Sequence, residues 1–234
     1  MNIYLDIETI PLPLDRREFL KPQQGEIKLG NLKDPEKIAA KVLEAEKDFA
    51  EGKKAALDSL QAQIVLIGYA VDDGPVKHLE GEESDILKAF WQAVAPRGWD
   101  VEANIIAHNM RFDGNMLVHR SWLNGVIPPA NLIADLTRYD PRHWKDTMVH
   151  WNLGDRHAKN RKLKHLCAAF KIACKESPVS GEDFYKWWSE NKEEAKQYNR
   201  QDVEAVRHLW LFMNPERSWQ PDNKNDEQQK EEQV

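Results

Sequence analysis

Two hydrophobic periods alternate along the chain, and an element should begin or end where one gives way to the other. IYLDIE (3–8) reads as a strand: Ile3, Tyr4, Leu5 and Ile7 are apolar, and Pro11 and Pro13 close it. IVLIGYAV (64–71) is a continuous β-branched run, the pattern expected at a sheet centre. DDGP (72–75) reads as a turn, so VKHLE (76–80) should return antiparallel. NIIAHN (104–109) is another buried strand.

Helical periods fill much of the rest. Ile38, Val42, Ala45 and Phe49 share one face over residues 35–60, with Leu57 and Leu60 beyond, and Gly52 divides the run into two candidate helices. Ser84 is placed to cap a helix carrying Ile86, Leu87, Phe90 and Val94. GNMLVHRSWLNG (114–125) predicts a helix closed by Gly125. LKHLCAAFKI (163–172) and residues 192–213 are helical, and Ser180 with Asp183 suggests a capping box before FYKWWSEN. Residues 126–162 show no clear period. From Asn214 the chain carries six acids against three bases, and a disordered polar tail is expected there. No internal repeat stands out. Strands come first and helices crowd the end, which predicts an α/β fold, a mixed sheet with helices packed on it. The expected organisation is one domain over 1–213 with a helical segment inserted at about 14–62.

Composition narrows the class. The 234 residues are 41% apolar, with nine Trp and seven Phe, enough for a sizeable core. A net charge of −6 argues against a uniformly basic nucleic-acid coat but leaves room for a local basic groove. Residues 156–175 hold seven Lys or Arg and no acid. Arg161, Lys162 and Lys164 are candidates for phosphate contact along a single strand; the plain alternative is an exposed basic helix face. Tyr139, Trp144 and Trp151 are candidates to stack on bases, although core packing suits most Trp residues better. Cys167 and Cys174 are too few for a disulfide framework and read as reduced thiols. His143, His150 and His157 recur every seven residues, but no C-x-x-C or H-x₃-H pair accompanies them, which disfavours zinc. MNIYLDIETIP has no basic n-region, and no apolar run approaches about 18 residues, so a cytoplasmic protein without membrane association is expected.

The acids carry the chemistry. Asp6 and Glu8 are two apart on a strand, so both point to one face. Asp113 follows the strand NIIAHN at the start of the next helix, where the helix dipole favours a carboxylate. Asp202 lies on the last helix, four residues after Tyr198, so the two share a face. Alone, each has an ordinary reading: a solvated strand end, a helix cap, a wet helix face. Together they suit phosphoryl transfer assisted by two divalent cations, since Mg²⁺ and Mn²⁺ prefer hard oxygen ligands. Two ions about 3.5–4 Å apart activate a water and stabilise the leaving oxygen.

LDIET, HNMRFD and YNRQD resemble the three motifs of the DEDD superfamily of 3′–5′ exonucleases, which includes polymerase proofreading domains and RNase D-like and RNase T-like enzymes. The first motif is carried by Asp6, Glu8 and Thr9, the second by Asn109, Phe112 and Asp113, the third by Tyr198 and Asp202. Y-x-x-x-D marks the tyrosine branch; the histidine branch would have His where Gln197 stands. The motifs span residues 6–202 in family order, and DTM (146–148) also fits the stretch between the second and third.

The resemblance implies an RNase H-like fold, two Mg²⁺ or Mn²⁺ ions, and hydrolysis of terminal phosphodiesters to nucleoside 5′-monophosphates. It implies that Asp6, Glu8 and Asp202 hold the first ion, that Asp6 reaches the second, and that Asp113 acts mainly through water. Thr9 and Ile10 would border the 3′-terminal nucleotide by backbone and apolar contact, and Asn109 and Phe112 would shape its pocket. The expected substrate is a single-stranded 3′ end, DNA favoured over RNA, with a polymerase or replication protein as a candidate partner. One departure is the stretch from Pro11 to Gln63, some 50 residues where family members have a short turn. The rival reading, from another class, is a nucleic-acid-binding or polymerase-associated adaptor on the same fold. An intact acid set argues against it, because a binding module would do better without carboxylates that repel phosphate.

Overall fold

In a computed structural model describing residues 1–52, 54–95, 103–138, 140–155, 157–174 and 184–215, strand β1 (Asn2–Pro11) forms the middle of a five-stranded sheet. After β1 come α1 (Leu14–Arg17), α2 (Pro35–Glu51), β2 (Ala62–Val71), β3 (Lys77–Glu80) and α3 (Glu83–Val94). Next are β4 (Asn104–Ala107), α4 (Met110–Leu123), α5 (Ala130–Leu136), β5 (Trp144–Asp146) and α6 (Thr147–Trp151). Helices α7 (Leu163–Ala169), α8 (Phe184–Glu190) and α9 (Lys192–Met213) complete the order. The strand order is β3-β2-β1-β4-β5, antiparallel from β3 to β1 and parallel from β1 to β5. This mixed sheet flanked by helices is consistent with the expected RNase H-like α/β fold. No helix among the described residues is long and apolar enough to cross a membrane.

Alternation along β1 sorts its side chains between two helical layers. Ile3, Leu5 and Ile7 enter one core with Leu87, Phe90 and Trp91 of α3, Leu117 of α4, Leu132 of α5 and Trp144 of β5. Tyr4 enters the other, with Ala70, Ile106, and Val203 and Val206 of α9. Further along that face, Leu66 packs with Phe184 and Trp188 of α8 and Ala195 of α9. A β-bulge between Glu8 and Thr9 shifts the register with β2, and the pairing resumes from Thr9–Ile64 to Pro11–Ala62.

Several expectations shift. The strand at 64–71 is internal but second from the edge; β1, less continuous in its apolar pattern, is the centre. Ser84 does not cap α3. The helix starts at Glu83, whose carboxylate accepts from the Ile64 N–H at 2.7 Å, Arg120 Nη2 at 2.6 Å and Asn124 Nδ2 at 2.8 Å. Helix α4 begins at Met110, ahead of the predicted 114, with Gly125 (φ 66°) following its end. Residues 126–162, without visible period, hold α5, β5 and α6, each too short to display one. The capping pair Ser180 and Asp183, Tyr139, and the tail from 216 lie outside the described residues.

The segment between β1 and β2 is tied down at both ends. Arg17 is buried, donating to the carbonyls of Leu12 (3.1 Å), Phe49 and Ala50 (3.0 Å), and its guanidinium lies 4.9 Å from the Phe49 ring centroid. A cation at the α2 C-terminus satisfies carbonyls that have no helical partner. Gly52 (φ 73°) turns the chain beside it. Ala55 and Ala56 are buried, and Thr9 Oγ1 donates to Ala56 O at 2.7 Å. Helix α2 itself buries no residue fully, so its apolar face is half-covered.

Candidate active site

The end of β1 where Asp6, Glu8 and Thr9 stand is also where β4 stops pairing with it: the parallel ladder ends at Tyr4 and Ile106. Beyond that point one backbone edge of β1 is open, and Asp113 from α4 fills it. The Asp113 carboxylate accepts hydrogen bonds from the backbone at Ile7 and at Asp113 itself. An acid from the helix layer on one face thereby reaches the acids on the other. Asp6 and Glu8 point toward α9, which supplies Tyr198, Asn199 and Asp202.

The four carboxylates sense one another. Burial raises Asp6 well above the ordinary carboxylate range, and Glu8, Asp202 and Asp113 add to the rise. Burial likewise raises Glu8, reinforced by Asp202 and Asp113. Burial lifts Asp113 to about 8 and Asp202 to about 6. What opposes these shifts is neutral: Asn199 Nδ2 donates to Asp6 Oδ2 at 2.7 Å and to Asp6 O at 3.2 Å. The Tyr198 hydroxyl donates to Asp202, and burial with the surrounding acids pushes the phenol up, so it stays protonated. The Tyr198 ring is held edge-on to Trp187, centroids 5.6 Å apart.

Among the described residues, no three His, Cys, Asp or Glu side chains are grouped so that they could hold a metal ion as they stand. The acids lie near enough to repel one another. Carboxylate oxygens are the ligand type a hard divalent cation prefers, and such an ion would supply the counter-charge that the ionised acids lack. The Cys167 and Cys174 thiols lie in hydrogen-bonding contact near Asp202; burial pushes Cys167 up to about 12, which keeps it a neutral thiol.

The other candidates are placed as follows. Ile10, like Tyr198 and Trp187, packs against the cluster of Leu66, Phe184, Trp188 and Ala195. Thr9 is buried, with its hydroxyl engaged by Ala56. Phe112 packs partly on the α3–α4 core. Asn109 is exposed in a left-handed turn (φ 68°), a conformation Asn tolerates, with its N–H donating to Asp146 Oδ1 at 3.0 Å. Asp146 also caps α6 through Met148 N at 2.8 Å, which accounts physically for the DTM stretch. Trp144 is core, its indole N–H on Leu132 O at 2.9 Å, so it is not free to stack on a base; Trp151 is exposed and edge-on to Phe170.

Arg161, Lys162 and Lys164 are all exposed. Their loop is tethered to the site by a residue that sequence reading passed over. His108 Nε2 lies 2.8 Å from Arg161 O and Nδ1 lies 2.8 Å from Thr147 Oγ1. A carbonyl only accepts, so Nε2 carries the hydrogen and Nδ1 accepts from the Thr147 hydroxyl. Burial lowers the His108 pKa, which agrees with a neutral ring. Asn199 was passed over as well; an isolated Asn on a helix has no periodic signal, and only its place beside Tyr198 drew near it.

The chain is similar in structure to the family B DNA polymerase from the hyperthermophilic archaeon Pyrobaculum calidifontis, with a TM-score of 0.55 at 18% identity. The match covers 92% of this chain and 24% of the polymerase, so the chain spans about a quarter of that protein's length. At this identity the likeness is one of fold. No protein-family model and no curated protein matches the chain.

Proposed function

We propose that the chain is a metal-dependent 3′–5′ exonuclease of the tyrosine branch, hydrolysing the terminal phosphodiester of a nucleic-acid strand, DNA favoured, to release nucleoside 5′-monophosphates. The observation that carries the reading is the meeting of Asp6, Glu8, Asp113 and Asp202, from three separate elements, with protonation raised in all four. Such acids are destabilising by themselves and become useful with a counter-charge. The motif resemblance in chain order supports it, and so does the fold shared with a DNA polymerase.

Asp6, Glu8 and Asp202 would hold one Mg²⁺ or Mn²⁺ and Asp6 the second, with Asp113 acting through water. When bound, these ions supply charge neutralisation of the scissile phosphate and a more acidic water. The chain's own part is positioning. Asn199 holds Asp6, the Ile7 backbone holds Asp113, and the Tyr198 hydroxyl, bonded to Asp202, would orient the attacking water. Ile10 and Phe112 offer apolar contact to the terminal nucleotide. The exposed Arg161, Lys162 and Lys164 are available to phosphates of the incoming strand.

The test is a degradation panel with Mg²⁺ or Mn²⁺ on single-stranded DNA, duplex DNA, mismatched 3′ ends and RNA, using 5′-labelled and 3′-blocked strands. Stepwise shortening from the 3′ end that the block prevents is expected. Binding without turnover on every substrate would overturn the proposal in favour of an adaptor.

A further inference from the structure

Asp6, Gly68 and His78 stand side by side across β1, β2 and β3: Asp6 is registered with Gly68, and Gly68 with His78. Residues in such a row share a face. Asn199 of α9 lies over this row, fully buried, with its Nδ2 on Asp6. The amide rests directly on Gly68, where a Cβ would come within 1.8 Å of Asn199 Oδ1 and 3.1 Å of Val203 Cγ2. Only glycine leaves room for a side chain from α9 to cross β2 and reach β1.

Two buried atoms along this row have no hydrogen-bond partner: Asn199 Oδ1 and His78 Nε2. They are complementary. The amide oxygen only accepts, and an imidazole nitrogen donates in one of its two neutral tautomers. Burial, with Arg200 and Lys196 nearby, keeps the His78 ring toward its neutral form, while Glu80 and a hydrogen-bonding interaction with the Asn199 side chain act the other way. Orphaned polar atoms are costly, about 1–3 kcal/mol each, so a complementary pair is expected to close.

We infer that His78 is a positioning residue for Asp6: its Nε2–H donates to Asn199 Oδ1, which fixes the orientation of the amide whose nitrogen holds the Asp6 carboxylate. An Asn amide can turn over, exchanging its oxygen and nitrogen. Turned over, Asn199 would set an oxygen against the Asp6 backbone carbonyl and against its carboxylate once ionised, acceptor facing acceptor. A donor at His78 makes one orientation favourable at both ends. Asp6 Oδ2 is then anchored and its other oxygen is left free. The geometric part stands by itself, while the effect on turnover rests on the proposed nuclease reading.

The experiment compares wild type, His78→Leu and His78→Gln, the last retaining an N–H donor. In the metal-free protein, nitrogen-detected NMR should find His78 as the Nε2–H tautomer and the Asn199 side-chain NH₂ protected from exchange. That protection should drop about tenfold in His78→Leu and return in His78→Gln, as for one hydrogen bond of ordinary net strength. On single-stranded DNA with Mn²⁺, His78→Leu should lower kcat about tenfold at unchanged KM, with His78→Gln close to wild type. An Nδ1–H tautomer, or unchanged Asn199 protection in His78→Leu, overturns the brace. Unchanged kcat in His78→Leu, with wild type active, overturns the positioning role. Inactive wild type with the expected tautomer and protection supports the brace and sinks the nuclease reading instead.

Discussion

The two faces of β1 are enclosed by helices to a similar degree and do opposite things. Toward α3 and α4 the strand presents Ile3, Leu5 and Ile7, none more than 5% exposed, and burial there is favourable for every atom. Toward α9 it presents Tyr4, then Asp6 and Glu8. Glu8 is only 9% exposed, yet it carries an acid whose ionised form that burial opposes. One strand thus gains stability on one side and gives some back on the other. The difference teaches how a rigid acid cluster is held: the apolar face keeps the backbone from yielding to repulsion on the polar face.

Neighbouring substitutions on opposite faces test this most strongly. Asp6→Ala should lower turnover by about 100-fold or more, while the melting temperature in EDTA does not fall, because a repulsive charge has gone. A clear loss of stability, or retained turnover, would break the comparison. Leu5→Ala should do the reverse. A loss of about 2–5 kcal/mol in denaturant unfolding is expected, with turnover per folded molecule near wild type.

The next effect is on pH. In the folded, metal-free chain Asp113 holds its proton up to about 8 and Asp202 up to about 6, against ordinary values of 3.8. The folded state therefore binds more protons than the unfolded state between those limits, and stability falls as pH rises through them. Melting temperatures in EDTA should decline from about pH 4 to about pH 8, less steeply in Asp113→Asn, and millimolar Mg²⁺ or Mn²⁺ should offset the decline. A profile that rises with pH in EDTA and ignores both the metal and Asp113→Asn would contradict the polar half of the comparison. The smallest effect is expected from Tyr198→Phe, which removes a hydroxyl and keeps the ring on Trp187. Hydrolysis should slow severalfold with substrate binding largely kept, measured by single-turnover kinetics beside equilibrium binding.

Much of this arrangement was legible in the chain. Strands β1, β2, β3 and β4 and helices α3, α4, α7, α8 and α9 have patterns long or regular enough to read, and the spacing of Asp6 with Glu8 and of Tyr198 with Asp202 follows from strand and helix periods alone. Helices α5 and α6 and strand β5 were not legible, because these short elements of three to seven residues follow one another in a stretch where Pro, Trp and His interrupt any apolar period. Nothing in the local sequence pattern marks Arg17 or Arg120. Burial reveals them as polar ties, Arg17 to the end of α2 and Arg120 to Glu83 in a pair whose side chains are only 4% and 9% exposed.

By itself the sequence determined the alternation that puts both acids of β1 on one face, the helical spacing of Tyr198 and Asp202, and the motif order. These are local, and local periodicity is written in adjacent residues. Only the tertiary structure decided that β1 is the sheet's centre, that Asp113 comes round an open strand edge to Ile7, and that Gly68 makes way for Asn199. Those relations join residues as far apart as 6 and 199. They depend on which surfaces pack against which, and no window of sequence contains both partners.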